Sequence, residues 1–283
     1  LEPQGEGLDG VVVGEVLSFK KHPDADRLSV CQVSVGNGEA LEVVCGAPNV
    51  REGMKSPFAP VGTKLPNGMK LRKAKIRGVV SNGMLCSAIE LGLGDESDGI
   101  VELDDDAPTG MTLTEHLGLP DVSLDLDLTP NRGDCFSVLG IARDVAAVTS
   151  MPMKDPTVMP VKATTDDKHP VDLVHPAGCP RFGARVARGI DMSAESPMWM
   201  KERLRRSGLR SIHPVVDVTN YVMMELGQPL HAYDLACLKG TIRPRLAAEG
   251  EVLTLLDEKT VKLLPNTLVI SDDSRKIGAD AYL

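Results

Sequence analysis

Residues 27–48 read RLSVCQVSVGNGEALEVVCGAP, and their alternation decides the architecture of the first half of the chain. Short runs of Val, Leu and Cys are interleaved with polar residues, so each run turns one face to a core and the other to water. Gly36, Asn37 and Gly38 between them are turn formers. Working outward, VVVGEVLSF at 11–19 repeats the pattern, and Pro48-Asn49 and Pro66-Asn67-Gly68 mark further turns on the C-terminal side. Roughly five such strands over 11–118, with loops of uneven length, imply a small closed or Greek-key barrel rather than a sandwich. In KLRKAKIR at 70–77, Leu71 and Ile76 fall out of strict register, which reads as a bulged strand or a strand end.

Beyond the barrel the pattern changes. DVSLDLDLTP at 121–130 alternates as a strand, residues 129–134 form a turn, and 135–150 reads as a helix capped by Asp134. Its apolar residues Val138, Ile141, Ala142, Val145 and Val148 recur at helical spacing. Residues 151–168 contain Pro152, Pro156 and Pro160 among polar fillers and read as a linker. VDLVHP at 171–176 and RFGARVARGI at 181–190 then read as strands. A helix comes next that begins at Ser196-Pro197 and stops at Gly208, with Trp199 and Leu204 expected in the core and Lys201, Arg203, Arg205 and Arg206 in water. TIRPRL, EVLTLL, TVKLL and TLVIS supply further strands, giving an α+β domain with a mixed sheet.

Residues 215–234, VVDVTNYVMMELGQPLHAYD, set Asp217, Thr219, Asn220, Glu225, Gln228, His231 and Asp234 among apolar neighbours. Burying such groups without partners costs roughly 1–3 kcal/mol each. They are therefore solvated, hydrogen-bonded to one another, or converging on a ligand.

The composition bounds the classes further. A length of 283 residues suits about two domains. No apolar run is long enough to span a membrane. The chain does not open on Met or on a signal sequence, and a piece of a longer protein is expected. Six scattered cysteines without a C-x-x-C pair argue for reduced thiols in the cytoplasm rather than disulfides or zinc. Net charge is −9, yet residues 53–89 contain no acid and carry Lys55, Lys64, Lys70, Arg72, Lys73, Lys75 and Arg77. That basic stretch is either a phosphate-contacting surface or a solvated strand pair. His22-Pro23-Asp24-Ala25-Asp26 has the look of a metal motif, but His-Pro before Asp-x-Asp reads better as a turn. No G-x-G-x-x-G or Walker pattern occurs.

Several blocks now resemble one family in one order. HPDADRLSVCQVSVG (22–36), VCGAPNVREG (44–53) and SNGMLCSAIELGL (81–93) are similar to tRNA-binding barrels of the oligonucleotide/oligosaccharide-binding (OB) type. LTPNRGDCFSVLGIARDVAAV (128–148) and PMWMKERLRRSGLRSIHPVVDVTNYVMMELGQPLHAYD (197–234) resemble bacterial phenylalanyl-tRNA synthetase β subunits. The resemblance implies a multidomain α+β chain. An OB-fold barrel over 11–118 would be inserted in a small α+β domain (1–10 and 119–160), and an α+β editing domain of B3/B4 type would come after it over 165–283.

It also implies a function: tRNA binding, architecture and hydrolytic editing of mischarged Tyr-tRNA(Phe), within an aminoacyl-tRNA ligase that attaches phenylalanine to tRNA(Phe). That enzyme would be an α2β2 complex with the α subunit, using ATP and Mg2+, with neither expected on these residues and no metal ligand among them. Neither DNA nor a membrane is an expected partner. His231 is similar to the family's editing histidine, with Thr219 and Asn220 beside it, and an imidazole, an amide and a hydroxyl suit the orienting of water at an ester. Lys64, Lys70, Arg72, Lys73, Lys75 and Arg77 are the expected tRNA contacts. Phe58 is the one aromatic nearby, so the contact should be electrostatic rather than stacked. The fragment alone is not expected to aminoacylate, and it should edit poorly, because the glutamate that reads the phenol would lie beyond residue 283. The competing reading is a stand-alone tRNA-binding scaffold without enzymatic activity.

Overall fold

The computed structural model describes residues 1–278 apart from 96, 155, 157, 256, 257 and 275, with 276–278 described as backbone only. The chain divides into two compact units: Leu1–Met153 with Glu195–Leu230, and Lys154–Ala194 with the chain from His231 onward.

The first unit opens on β1 (Glu2–Gln4) and then builds the barrel from β2 (Val12–His22), β3 (Ala25–Ser34), β4 (Leu41–Cys45) and β5 (Lys55–Pro60). A hairpin of β6 (Ala74–Ile76) and β7 (Val79–Ser81) precedes β8 (Gly83–Leu85) and the short helix α1 (Ala88–Leu91). The main sheet is antiparallel in the order β4-β3-β2-β5-β8. Its two edges are drawn together where Asn82 N donates to Glu42 O at 2.9 Å and Val44 N donates to Ser81 Oγ at 3.0 Å. Alternation does what the sequence implied: Val16, Val33, Val43 and Phe58 fill one core cluster, while Val11, Val13, Leu65 and Leu113 fill another. Phe58 fits because Gly14 and Gly83 flank it; a Cβ on Gly83 would stand 2.2 Å from its ring. Cys31 and Cys86 lie in these cores, and burial pushes their thiols up to about 12.

After α2 (Leu113–Leu117), β9 (Asp121–Ser123) returns to pair with β1, so the barrel sits between two strands of one small antiparallel sheet. Only three residues of the expected 121–130 strand are strand, because β1 offers only Glu2, Pro3 and Gln4 as partners. Helix α3 (Val138–Thr149) starts later than 135, and its cap is Ser137, whose Oγ accepts from Gly140 N at 2.9 Å. Asp134 instead pairs with Arg132 across a 3-10 turn at Gly133–Cys135. Along the apolar stripe of α3, Ile141 and Ala142 are half-buried, while Val138, Val145 and Val148 are exposed, Val148 by 81%.

Helices α4 (Met198–Arg206) and α5 (Pro214–Leu226) complete this unit. Arg206 ties α4 down through Asp121 and Leu117 O, and Arg205 Nη1 reaches Gln4. Trp199 does not enter the core but is 51% exposed; Met200, Glu202 and Leu204 are the buried face of α4. Glu202 tolerates burial because Arg205 and Arg206 both donate to it.

The second unit contains β10 (Arg243–Leu246), β11 (Val252–Thr254), β12 (Thr260–Lys262), β13 (Leu268–Ser271) and β14 (Lys276–Gly278). They form a three-stranded sheet, β10-β13-β14, and the hairpin β11-β12. The expected strands at 171–176 and 181–190 do not form: alternation there meets no ladder partner beyond the single bridge Val171–Ile242. Arg245 braces β10 by donating to both carboxylate oxygens of Glu251 and to Ser271 Oγ.

Candidate functional site

The basic stretch folds as two connected pieces on the barrel. Lys64 and Lys70 face each other in an antiparallel bridge around the turn at 65–69, and Lys73, Lys75 and Arg77 lie on or beside β6. Ala74, Lys75 and Ile76 pair with Ser81, Val80 and Val79. All six expected contacts, Lys64, Lys70, Arg72, Lys73, Lys75 and Arg77, are exposed. Among the described residues no ion pair involves any of them. Cations outside any ion pair are available to external phosphates at little cost. Phe58 is fully buried, so it offers no stacking surface for a base.

Helix α5 resolves most of the polar puzzle in residues 215–234. Asp217 is completely buried, and it is a structural clamp: Ser196 Oγ, Ser211 Oγ and Ile212 N all donate to its carboxylate. Burial alone would raise its pKa, but these donors outweigh it and hold the carboxyl below the ordinary aspartate value. Glu225 accepts from Tyr221 Oη at 3.2 Å, and Arg203 donates to that same oxygen at 2.6 Å. Glu225 is thereby tied to a cationic neighbour. Trp199 packs edge-on to Tyr221, with ring centroids 5.4 Å apart.

Thr219 and Asn220 stand half-buried in the middle turn of α5. Thr219 Oγ1 donates to Val216 O at 2.7 Å, so in this rotamer its hydroxyl has only lone pairs left to offer. His231 is exposed at the start of the second unit, its ring roughly parallel to that of Tyr233 with centroids 6.2 Å apart. Two of the three expected editing residues are therefore neighbours on one helix, and the third belongs to the other unit. Among the described residues no cluster of three or more His, Cys, Asp or Glu side chains could hold a metal ion, and no helix is long and apolar enough to cross a membrane.

Two structural roles escaped the reading of the sequence. Asp217 stood in the polar set without a role, although serines at 196 and 211 were available as donors. His22, weighed as a ligand and set aside as part of a turn, is nearly fully buried and bonded at both ring nitrogens.

Family models match two stretches: a tRNA binding domain over residues 11–112 and a B3/4 domain over 178–281. The β subunit of phenylalanine–tRNA ligase from Pseudomonas syringae pv. tomato is 57% identical over 269 residues, covering 95% of this chain and 34% of that protein. The corresponding subunit of Coxiella burnetii is 54% identical over 97% of this chain and 35% of its own length, and that of Pectobacterium atrosepticum 50% over 98% and 35%. The chain thus spans about a third of the length of the curated relatives it matches. A solved MetRS-related protein from Pyrococcus horikoshii overlaps 36% of this chain and 87% of its own at 25% identity, with a TM-score of 0.27, so the barrel assignment rests on strand pairing and the family model instead.

Proposed function

Since this chain belongs to the phenylalanine–tRNA ligase β subunit family, we propose that it supplies tRNA contact and an editing element to a ligase that attaches phenylalanine to tRNA(Phe). The observation that carries this reading is the 57% identity over 95% of the chain. Two features of the molecule support it: a barrel with six exposed cations outside any described ion pair, and a helix presenting Thr219 and Asn220 ahead of His231. The scaffold-only alternative leaves the B3/4 match without a purpose.

Editing has a physical reason. A site shaped for phenylalanine rejects tyrosine weakly, by about a hundredfold, because an added hydroxyl costs little in an apolar pocket. A second, hydrolytic site removes the error. By residue type, His231 suits the polarising of a water, and Asn220 and Thr219 suit hydrogen bonding to an ester substrate, Thr219 as an acceptor because its proton goes to Val216 O. ATP and Mg2+ belong to the attachment reaction of the assembled α2β2 ligase in the cytoplasm. Among the described residues no cluster of three or more His, Cys, Asp or Glu side chains offers a ligand set for a metal.

The test uses the ligase assembled with its α subunit. His231→Ala should slow hydrolysis of Tyr-tRNA(Phe) by about a hundredfold while leaving phenylalanine attachment unchanged. Undiminished hydrolysis would overturn the assignment.

A further inference from the structure

The hairpin β6–β7 holds Lys75, with Lys73 and Arg77 beside its first strand, but it is only two strands wide and shares no ladder with the five-stranded sheet. A two-stranded hairpin is at best marginally stable by itself in water. Its base is fixed where Ser81 Oγ accepts from Val44 N at 3.0 Å. Its tip is held by a different part of the chain, 54 residues away in sequence.

There, Pro23 and Asp24 turn β2 into β3, with His22 paired to Ala25. His22 is 4% exposed. Asp24 N donates to its Nδ1 at 3.0 Å. A backbone N–H can only donate, so Nδ1 is unprotonated and the ring proton sits on Nε2. Nε2 lies 3.1 Å from Ile76 O, at the end of β6, and donates to it. Arg77, the next residue, has φ 45 and sends Nη1 back to Asp24 O at 3.1 Å. The turn grips the hairpin with a side chain, and the hairpin grips the turn with another.

We propose that His22 is a positioning residue for RNA contact: with Arg77 it latches β6–β7 to the barrel, so that Lys73 and Lys75 present a pre-formed phosphate-binding row. This rests on the reading of β6–β7 as a tRNA surface. Its physical content is that a fixed row avoids ordering the hairpin at the moment of binding. Arg77 then serves chiefly as the second half of the latch.

The test measures affinity of the 283-residue chain for unacylated tRNA(Phe) across a salt series. Glutamine at 22 can place its amide nitrogen near the Nε2 position and keep the bond to Ile76 O. Asparagine places an oxygen near Nδ1 and keeps only the bond from Asp24. His22→Asn and Arg77→Ala should each weaken binding by about tenfold, comparable to ordering one or two long side chains, and flatten the salt dependence. His22→Gln should stay within about twofold of the parent. Amide hydrogen exchange should show protection lost in β6–β7 and kept in β2–β3. If His22→Asn also unprotects β2–β3, Arg77→Ala, which touches the turn from outside, carries the same expectations. Lys73→Glu with Lys75→Glu separates the two readings. No effect of that pair overturns the tRNA surface itself. A loss there, with His22→Asn or Arg77→Ala binding like the parent, overturns the latch alone.

Discussion

The barrel and the second unit are built from the same short antiparallel strands, yet they cohere by different means. In the barrel, alternate residues of several strands converge on two continuous cores, with Phe58, Leu8, Met54 and Leu65 essentially sealed from water. In the second unit, the buried apolar cluster among the described residues is Ala247, Leu263 and Val269, and ion pairs such as Arg245–Glu251 and Arg243–Asp172 share the bracing. Of these, the more exposed Arg243–Asp172 pair contributes little, typically under about 1 kcal/mol. Apolar burial contributes about 0.8 kcal/mol for each buried methylene. Stability should therefore concentrate in the unit that carries the proposed RNA surface, while His231 belongs to the weaker one.

The largest effects fall on that contrast. Phe58→Ala should cost about 3–5 kcal/mol, because the site between Gly14 and Gly83 cannot collapse. Val269→Ala, a smaller truncation in the second unit, should cost about 1.5 kcal/mol. Urea denaturation reads both. Trp199, the sole tryptophan, reports the first unit, and far-ultraviolet circular dichroism reports the whole chain. Coincident transitions would contradict this contrast.

A middle-sized effect belongs to Asp217. Replacing it with Asn removes a charged acceptor of three hydrogen bonds and should cost about 1.5–3 kcal/mol at pH 7. Its folded-state pKa lies below the ordinary aspartate value, so its contribution is full at neutral pH. It fades only as pH falls below about 4, through the folded pKa. Thermal melts between pH 3 and pH 7 should show a shallower acid loss in Asp217→Asn than in the parent. Parallel curves would mean the clamp is not ionised.

The same contrast explains how much the sequence revealed. The barrel was legible because each strand has a partner long enough to use its alternation, as β2 does with both β3 and β5. Residues 181–190 alternate just as well but have no partner, and alternation without a ladder is not a strand. The stripe on α3 was legible as a helix, yet Val138, Val145 and Val148 stay exposed, since periodicity says which residues share a face and not what covers it. Trp199 is a further case: Met200, Glu202 and Leu204 take the buried positions of α4, and Trp199 lies half-exposed against Tyr221. At the proposed functional end, the residue types were visible in the sequence and their hydrogen-bond partners were not. The basic stretch was visible in the sequence, but the histidine that holds it lies 54 residues from its partner carbonyl.

Where RNA touches the chain is the central claim, and the affinity for tRNA(Phe) as a function of salt tests it most directly. The five exposed cations outside the latch, Lys64, Lys70, Arg72, Lys73 and Lys75, predict that log affinity falls with log salt at a slope between about −2 and −5. Lys73→Glu with Lys75→Glu should flatten that slope by about 2. A salt-independent affinity, or a slope that the double substitution leaves unchanged, would contradict the claim.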